Sequence, residues 1–421
     1  MNTTRSMLDS GAFDESLQRL YGDSAQAQKV KYGALIDAFT DAFGYGDSMN
    51  LFSAPGRSEI GGNHTDHQLG RVLAAAVTMD TRAVVVPRSD LVVRIHSRGY
   101  TPLCISLDCL DPEEGEQNES GALVRGIAER FVQTGRKVGG FDAVTASDVP
   151  KGSGLSSSAA FSILVCTIFS ELYNDGGVSP VEQALFSKYA ENKHFGKPSG
   201  LMDQLACAVG GFISIDFEKP EEPKIERIEC DLSALGYAIC IVNCGGSHSD
   251  LTPEYAAVTK EMGDVARYFG KTVLREVDEN AFYAELGTLR KTVSDRAIIR
   301  AMHFFGDNAR VPLQAEALRN RDMESFRRLM NESGRSSFML LQNVCPANPQ
   351  ERGLALALAL SERFLGSRGA WRVHGGGFAG TIQALVPLDQ VETYQAQMER
   401  VFGAGCCYRF AVRPVGGIRI A

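Results

Sequence analysis

No run in this chain approaches the ~20 consecutive apolar residues that a membrane helix needs. None of its ten cysteines forms a Cys-x-x-Cys pair, and the nearest two, Cys406 and Cys407, are adjacent. Zinc-ligand spacing and a regular disulfide framework are therefore both missing, and reduced, buried thiols are expected. Positive charge is not in excess: 43 Lys and Arg stand against 51 Asp and Glu, a formal net charge of -8. That balance argues against general nucleic-acid binding, which needs clustered basic residues, but not against a nucleotide, whose phosphates can be held by backbone N–H groups. The Walker pattern G-x-x-x-x-G-K-[ST] does not occur. Met1 to Gly22 is polar and acidic, with no charged-then-apolar leader pattern, which predicts a cytoplasmic protein.

What is present reads as a soluble α+β protein. Hydrophobic residues make up 44% and charged residues 22% of 421, a length that suggests more than one domain. Residues 1–48 read as an N-terminal extension and first helix: 1–22 as an extension or a loosely docked helix, and 25–43 as helical by its apolar spacing. Residues 49–219 and 220–421 are expected to be two domains of mixed strands and helices, joined near the Pro220–Pro223 cluster. Leu51 to Ala54 predicts a short strand ending at Pro55-Gly56, and Val72 to Pro87 a buried one. Ser179-Pro180 opens a helix with an N-cap and a proline in the first turn. Ala- and Leu-rich Gly353 to Phe364 is expected to be helical.

Four segments carry polar groups of chemical interest. Pro150 to Ala160 (PKGSGLSSSAA) follows a strand and opens a helix. Its Gly152, Ser153, Gly154, Leu155, Ser156, Ser157 and Ser158 could cradle phosphates, with N–H groups at a positive helix end and hydroxyls for phosphate or a divalent metal. A glycine-serine turn with serine helix caps would read the same. His374 to Gly380 (HGGGFAG) is a second glycine turn between two strands, which a plain β-hairpin would also explain. Ala54 to His67 gathers Arg57, Asn63, His64, Asp66 and His67 in what reads as a Gly-rich loop, able to hydrogen-bond sugar hydroxyls or, as an alternative, to bind a metal through His64, Asp66 and His67. Asp203 sits between Met202 and Gln204-Leu205, an unusual place for a carboxylate unless a cation pairs with it. An Asp with an Arg partner suits phosphoryl transfer to an alcohol.

Taken in this order, the segments resemble the galactokinases of the GHMP kinase superfamily, from about residue 49 to the C-terminus. Gly56-Arg57 and His64-Thr65-Asp66 match the sugar signature, Pro150 to Ala160 the phosphate loop, Gly200 to Gln204 the catalytic-Asp segment, and Gly375 to Gly380 the last glycine motif. The resemblance implies a two-domain GHMP kinase fold with the active site between the domains. It implies Asp203 as catalytic base with Arg57 beside it, Mg²⁺ on Ser158 and Glu191, ATP phosphates on the Gly152–Ser158 loop, and sugar contacts from Asn63, His64, Asp66, Gly200 and Tyr255. It further implies ATP and galactose as substrates and Mg²⁺ as the metal; from charge and the lack of a long apolar run, no nucleic-acid or membrane partner is expected, and a monomer is the expected state. A catalytically silent sugar and ATP sensor on the same scaffold is the reading from another class.

The sugar signature departs from the family's G-R-x-N-[LIV]-I-G-E-H-x-D-Y: Glu59 replaces Asn, Gly61 Ile, Asn63 Glu and His67 Tyr. A neutral Asn63 facing the 6-hydroxyl would tolerate a carboxylate there, so a uronic acid such as galacturonate is a rival substrate.

Overall fold

The computed structural model describes every residue except 1–2, 45–47, 114, 151–153, 198 and 247–250. Helices α1 (Thr3–Ser10), α2 (Asp14–Tyr21) and α3 (Ala25–Phe43) precede strands β1 (Asn50–Gly61), β2 (Arg71–Pro87), β3 (Val92–Ser97) and β4 (Leu103–Ser106). Helix α4 (Ser120–Gln133), β5 (Phe141–Ser147), α5 (Ser157–Tyr173), α6 (Pro180–Ala190) and α7 (Met202–Val209) follow, then β6 (Phe212–Asp216), β7 (Lys224–Ile228) and β8 (Tyr237–Asn243). The remainder is α8 (Thr252–Tyr268), α9 (Glu279–Ala284), α10 (Leu286–Leu289), α11 (Asp295–Arg319), α12 (Met323–Ser336), α13 (Gly353–Leu365), β9 (Ala370–Val373), β10 (Thr381–Pro387), α14 (Val391–Phe402), β11 (Cys407–Phe410) and β12 (Ile418–Arg419).

Two sheets result, the first mixed and the second antiparallel throughout. An eight-stranded sheet runs β12-β1-β2-β5-β3-β4, with β6 also on β2 and β7 on β6. A four-stranded sheet runs β11-β8-β10-β9. The β2 strand is long enough to serve two neighbours: Arg71 to Ala75 pair with β6, and Thr81 to Pro87 pair with β5. Its alternation is apolar on both faces. Val72, Ala74, Ala83 and Val85 enter the core beneath α4 to α7, whereas Leu73, Ala75 and Val77 enter the core shared with α11 and the second sheet. This double burial is why the stretch reads as a continuous apolar run.

The N-terminal helices are not loosely docked. Leu8, Leu17, Leu20, Tyr21, Tyr32, Ile36 and Phe39 pack on Leu51 and Val84 in a core of their own. The Tyr21 hydroxyl donates to Asp80 Oδ2 at 2.5 Å, and Arg413 reaches the same carboxylate at 3.3 Å. The strand expected to stop at Pro55-Gly56 continues to Gly61, with bulges between Pro55 and Arg57 and between Glu59 and Gly61. The Ser179 cap closes a full capping box with Glu182. Helix α11 had no counterpart in the sequence reading. Its apolar stripe (Ile298, Ala301, Phe305, Ala315, Leu318) is interrupted by Arg300, His303, Asp307 and Gln314, all buried and polar. Among the described residues, no helix is long and apolar enough to cross a membrane.

Candidate active site

Four segments converge where the first sheet meets the glycine turn of the second: the far half of β1, the start of α5, the start of α7 and the β9–β10 turn. Gly56 permits the first approach, since a Cβ there would lie 2.8 Å from the Leu155 carbonyl oxygen. Past it, the Arg57 N–H donates to Leu155 O at 3.0 Å. The bulge re-aims the Arg57 side chain. Its Nε donates to Asp203 Oδ1 and its Nη2 to Asp203 Oδ2, both at 2.7 Å, while Nη1 donates to Gly154 O. Asp203 is the second residue of α7, in the first turn, where the helix dipole favours a carboxylate.

Ser156 Oγ donates a third hydrogen bond to this carboxylate, to Oδ2 at 2.7 Å. Ser156 is left-handed (φ 58°, ψ 66°) and precedes α5 without capping it by its side chain. Burial alone would push the Asp203 carboxyl up; the Arg57 charge and the hydrogen bonds from Arg57 and Ser156 outweigh it, and the group sits below its ordinary value. Arg57 is pulled down by burial, but Asp203 raises it further, so it is held as a cation. The Asp203 side chain is 25% exposed and Arg57 9%, so the carboxylate is the member of the pair that a ligand can reach.

Of the expected phosphate loop, Gly152 and Ser153 lie outside the described residues. Gly154 and Leu155 turn their carbonyls to Arg57, and the Leu155 side chain is buried in the core, so neither offers a side chain to a nucleotide. Ser156 spends its hydroxyl on Asp203 rather than toward phosphate. Ser157 and Ser158, half-buried, form the first turn of α5 and keep the helix-start position a phosphate would use.

Glu191 begins a π turn (Glu191–Phe195) after α6 and is 1% exposed. Its Oε2 accepts from Nε2 of Gln204, the residue after Asp203, at 2.9 Å, and Lys197 Nζ lies at 4.0 Å. Its Oε1 is buried with no hydrogen-bond partner. An orphaned carboxylate oxygen is the kind of group that a hard cation satisfies, so Glu191 fits Mg²⁺, with the Ser158 hydroxyl a chemically suitable oxygen donor. His64, Asp66 and His67 do not form a ligand set. His64 Nε2 faces Gly376 O at 2.9 Å, and His67 Nε2 lies 3.7 Å from Asp66 Oδ1. Among the described residues, no three His, Cys, Asp or Glu side chains gather as a metal site.

The expected sugar contacts divide. Asp66 and Gly200 meet: a Cβ on Gly200 would be 2.9 Å from Asp66 Oδ2. His64 is left-handed at φ 58°, and burial, then the charge of His67, push its pKa down to about 4. It is therefore neutral, and Nε2 carries the proton given to Gly376 O. The Tyr255 hydroxyl donates to Gly377 O at 2.9 Å, and its ring stacks edge-on against Phe378, with centroids 5.5 Å apart. These bonds fix the β9–β10 turn beside the Arg57 segment. His374 adds another tie, with Nε2 3.0 Å from Ser58 Oγ and Nδ1 3.0 Å from Thr381 Oγ1.

Asn63 is the exception. It is fully buried (0%), and its side chain is enclosed by protein partners. Nδ2 donates to Glu59 Oε1 (3.0 Å) and Gly375 O (2.8 Å), and Oδ1 accepts from Asn343 Nδ2 (2.8 Å) and Ser337 Oγ (3.2 Å). An amide has two donors and two lone pairs, so none is left for a sugar hydroxyl. Glu59 in turn accepts from fully buried Arg372 at 2.7 Å. The two departures at 59 and 63 thus form one mutually bonded pair. Sequence reasoning missed Ser156's role toward Asp203, along with Ser58, Glu59, Asn343, Arg372 and His374. Of these, Glu59 carried a signal as a departure from the family pattern, and Ser156 and His374 lay in segments already singled out for their glycines and hydroxyls.

Residues 122–211 match the family of GHMP kinases N terminal domain, and residues 37–87 match the galactokinase galactose-binding signature. The fold is similar to a Lactococcus lactis galactokinase solved in complex with galactose: TM-score 0.78 and 23% identity, over 92% of this chain and 99% of that one. It is also similar to the Methanococcus jannaschii mevalonate kinase (TM-score 0.62, 15% identity, 87% and 98% covered). A third similar fold is a D-glycero-D-manno-heptose 1-phosphate kinase from Bacteroides thetaiotaomicron (TM-score 0.58, 15% identity, 88% and 98% covered).

Proposed function

We propose that this chain, which matches the GHMP kinases N terminal domain over 122–211 and the galactokinase galactose-binding signature over 37–87, is a GHMP kinase that transfers the γ-phosphate of ATP to the anomeric hydroxyl of D-galactose, giving galactose 1-phosphate and ADP. The observation that carries the reading is the Asp203 carboxylate, gripped by the Arg57 fork and left partly open beside the start of α5. The two oxygens are not equivalent. Oδ2 accepts from Arg57 Nη2 and Ser156 Oγ, which fills it, whereas Oδ1 accepts only from Arg57 Nε. Oδ1 is therefore the atom that takes or orients the sugar's hydroxyl proton. The freed oxygen bonds to the γ-phosphorus as the bond to the bridging oxygen breaks and ADP leaves. Arg57 keeps the carboxylate ionised and adds positive charge where charge accumulates. Asp66, His64, Gly200 and Tyr255 orient the sugar, and the N–H groups opening α5 at Ser157 and Ser158 face the phosphates. Mg²⁺ held by Glu191 and Ser158 would neutralise phosphate charge. We place the enzyme in the cytoplasm, acting as a monomer.

The galactose-binding signature over 37–87 supports galactose as the sugar. The case for galacturonate rested on a neutral Asn63 at the sugar's C6, and Asn63 is spent on internal bonds. A silent sensor would have no need for an intact, ionised Asp203–Arg57 pair. The test is ADP release with ATP and Mg²⁺ on a panel of galactose, galacturonate, N-acetylgalactosamine, glucose and arabinose. The highest kcat/KM is expected on galactose; a preference for galacturonate, or ADP release with none of the sugars, would overturn the reading.

A further inference from the structure

We infer that Asn63 is a positioning residue, held by His303 and Asp307 of α11, and that it keeps the sugar-binding loop and the β9–β10 glycine turn in one arrangement; the identity of the sugar in this inference rests on the function proposed above.

Every polar atom of Asn63 is used. Besides the four side-chain bonds, its backbone N–H donates to Asp307 Oδ2 at 2.8 Å and its carbonyl accepts from His303 Nε2 at 2.9 Å. His303 and Asp307 are four residues apart on α11, on one face of the helix, and neither is exposed (0%). The Asn63 carbonyl can only accept, so Nε2 of the neutral His303 ring carries the proton, and Nδ1, 2.9 Å from Ser336 Oγ, accepts from that hydroxyl. Arg310 holds Asp307 from the other side at 3.2 Å. One residue of the sugar loop is thus tied to α11, to Ser337 and Asn343, to the strand behind it through Glu59, and to the glycine turn through Gly375.

The next residue shows what this grip is for. His64 occupies a left-handed φ of 58°, which a non-glycine residue keeps only when its surroundings impose it. Its Nε2 then reaches Gly376 O, one carbonyl along from the Gly375 O that Asn63 holds. Asn63 and His64 therefore clasp two successive carbonyls of the turn. If the clasp fails, His64 and Asp66 lose their placement toward the sugar, whereas neither Asn63 nor His64 bonds to the start of α5, the nucleotide position in the function proposed above. This separates the role from a general contribution to folding, which would not distinguish the two substrates.

The experiment is steady-state kinetics on the full-length protein, varying galactose at saturating ATP and ATP at saturating galactose, with thermal melting alongside. Asn63→Asp is isosteric but turns two donors into an acceptor facing Glu59 Oε1 and Gly375 O. It is expected to raise KM for galactose by about tenfold or more and to leave KM for ATP within about twofold. Asp307→Asn, which leaves the Asn63 side chain intact, is expected to move the same parameter in the same direction, and it carries the test if Asn63→Asp does not fold. The exchange Glu59→Gln/Asn63→Asp, which restores one amide–carboxylate pair beside Arg372, is expected to recover part of the lost galactose KM. An unchanged galactose KM in folded Asn63→Asp or Asp307→Asn, or a parallel rise in both KM values, would overturn the inference. If the wild type prefers another sugar, the substrate reading fails separately, and the same KM split is read on that sugar.

Discussion

Arg57 and Asp203, 146 residues apart in the chain, face each other through two parallel hydrogen bonds of 2.7 Å. A fork-to-fork contact fixes the carboxylate plane as well as its charge, which a point-charge ammonium cannot do. Arg57→Lys is therefore expected to lower kcat by about tenfold or more. It should also move the pH profile. Asp203 must be ionised to accept a proton, and its carboxyl lies below its ordinary value because of Arg57 and Ser156. Activity dependent on it is present above that pKa and lost as pH falls through it. Weakening the Arg57 contact raises the pKa, so the acid limb of kcat/KM shifts to higher pH in the variant. A pH–rate comparison of the two proteins checks this, and an unshifted limb would count against it.

Ser156 supplies the third donor to the same carboxylate. Ser156→Ala is expected to shift the acid limb in the same direction by a smaller amount, because a hydroxyl brings no charge, and to leave KM for ATP within about twofold. If the hydroxyl served the nucleotide instead, KM for ATP would rise and the pH profile would stay in place.

Tyr21 ties the N-terminal helices to the first sheet. Burial is the main cause raising its hydroxyl pKa, so it stays protonated and donates to Asp80 at 2.5 Å. Tyr21→Phe removes a hydrogen bond to a charged group, and the expected loss is about 1.5–3 kcal/mol of stability with kcat unchanged. Denaturant unfolding and steady-state turnover together check both halves of the statement.

The parts of this molecule that could be read from sequence were those whose pattern is local. The apolar β2 run, the Ser179-Pro180 helix start and the Ala/Leu-rich α13 each announce themselves within a few residues, and each forms. The Asp203–Arg57 meeting was also anticipated: an Asp between apolar neighbours needs a partner, and the family resemblance named Arg57 as that partner. Three things were not legible. Strand β1 runs through Pro55-Gly56, because bulges there absorb the residues that normally end a strand. Helix α11 hides because His303 and Asp307 interrupt its apolar stripe, and they are buried for the sake of a residue 240 or more positions earlier. The place of Asn63 was misread for the same reason: whether an amide faces a ligand or a network depends on partners at 337, 343 and 375, which no local pattern reveals.

The central claim is that Asp203 takes or orients the proton of a sugar hydroxyl during phosphoryl transfer. Its most direct test is single-turnover and steady-state phosphorylation of galactose by Asp203→Asn, with folding verified by melting and galactose binding by calorimetry. The account predicts a folded protein that still binds galactose and turns over at least ~10²-fold more slowly than the wild type, the usual worth of a general base. Turnover near the wild-type rate in that folded variant would contradict it.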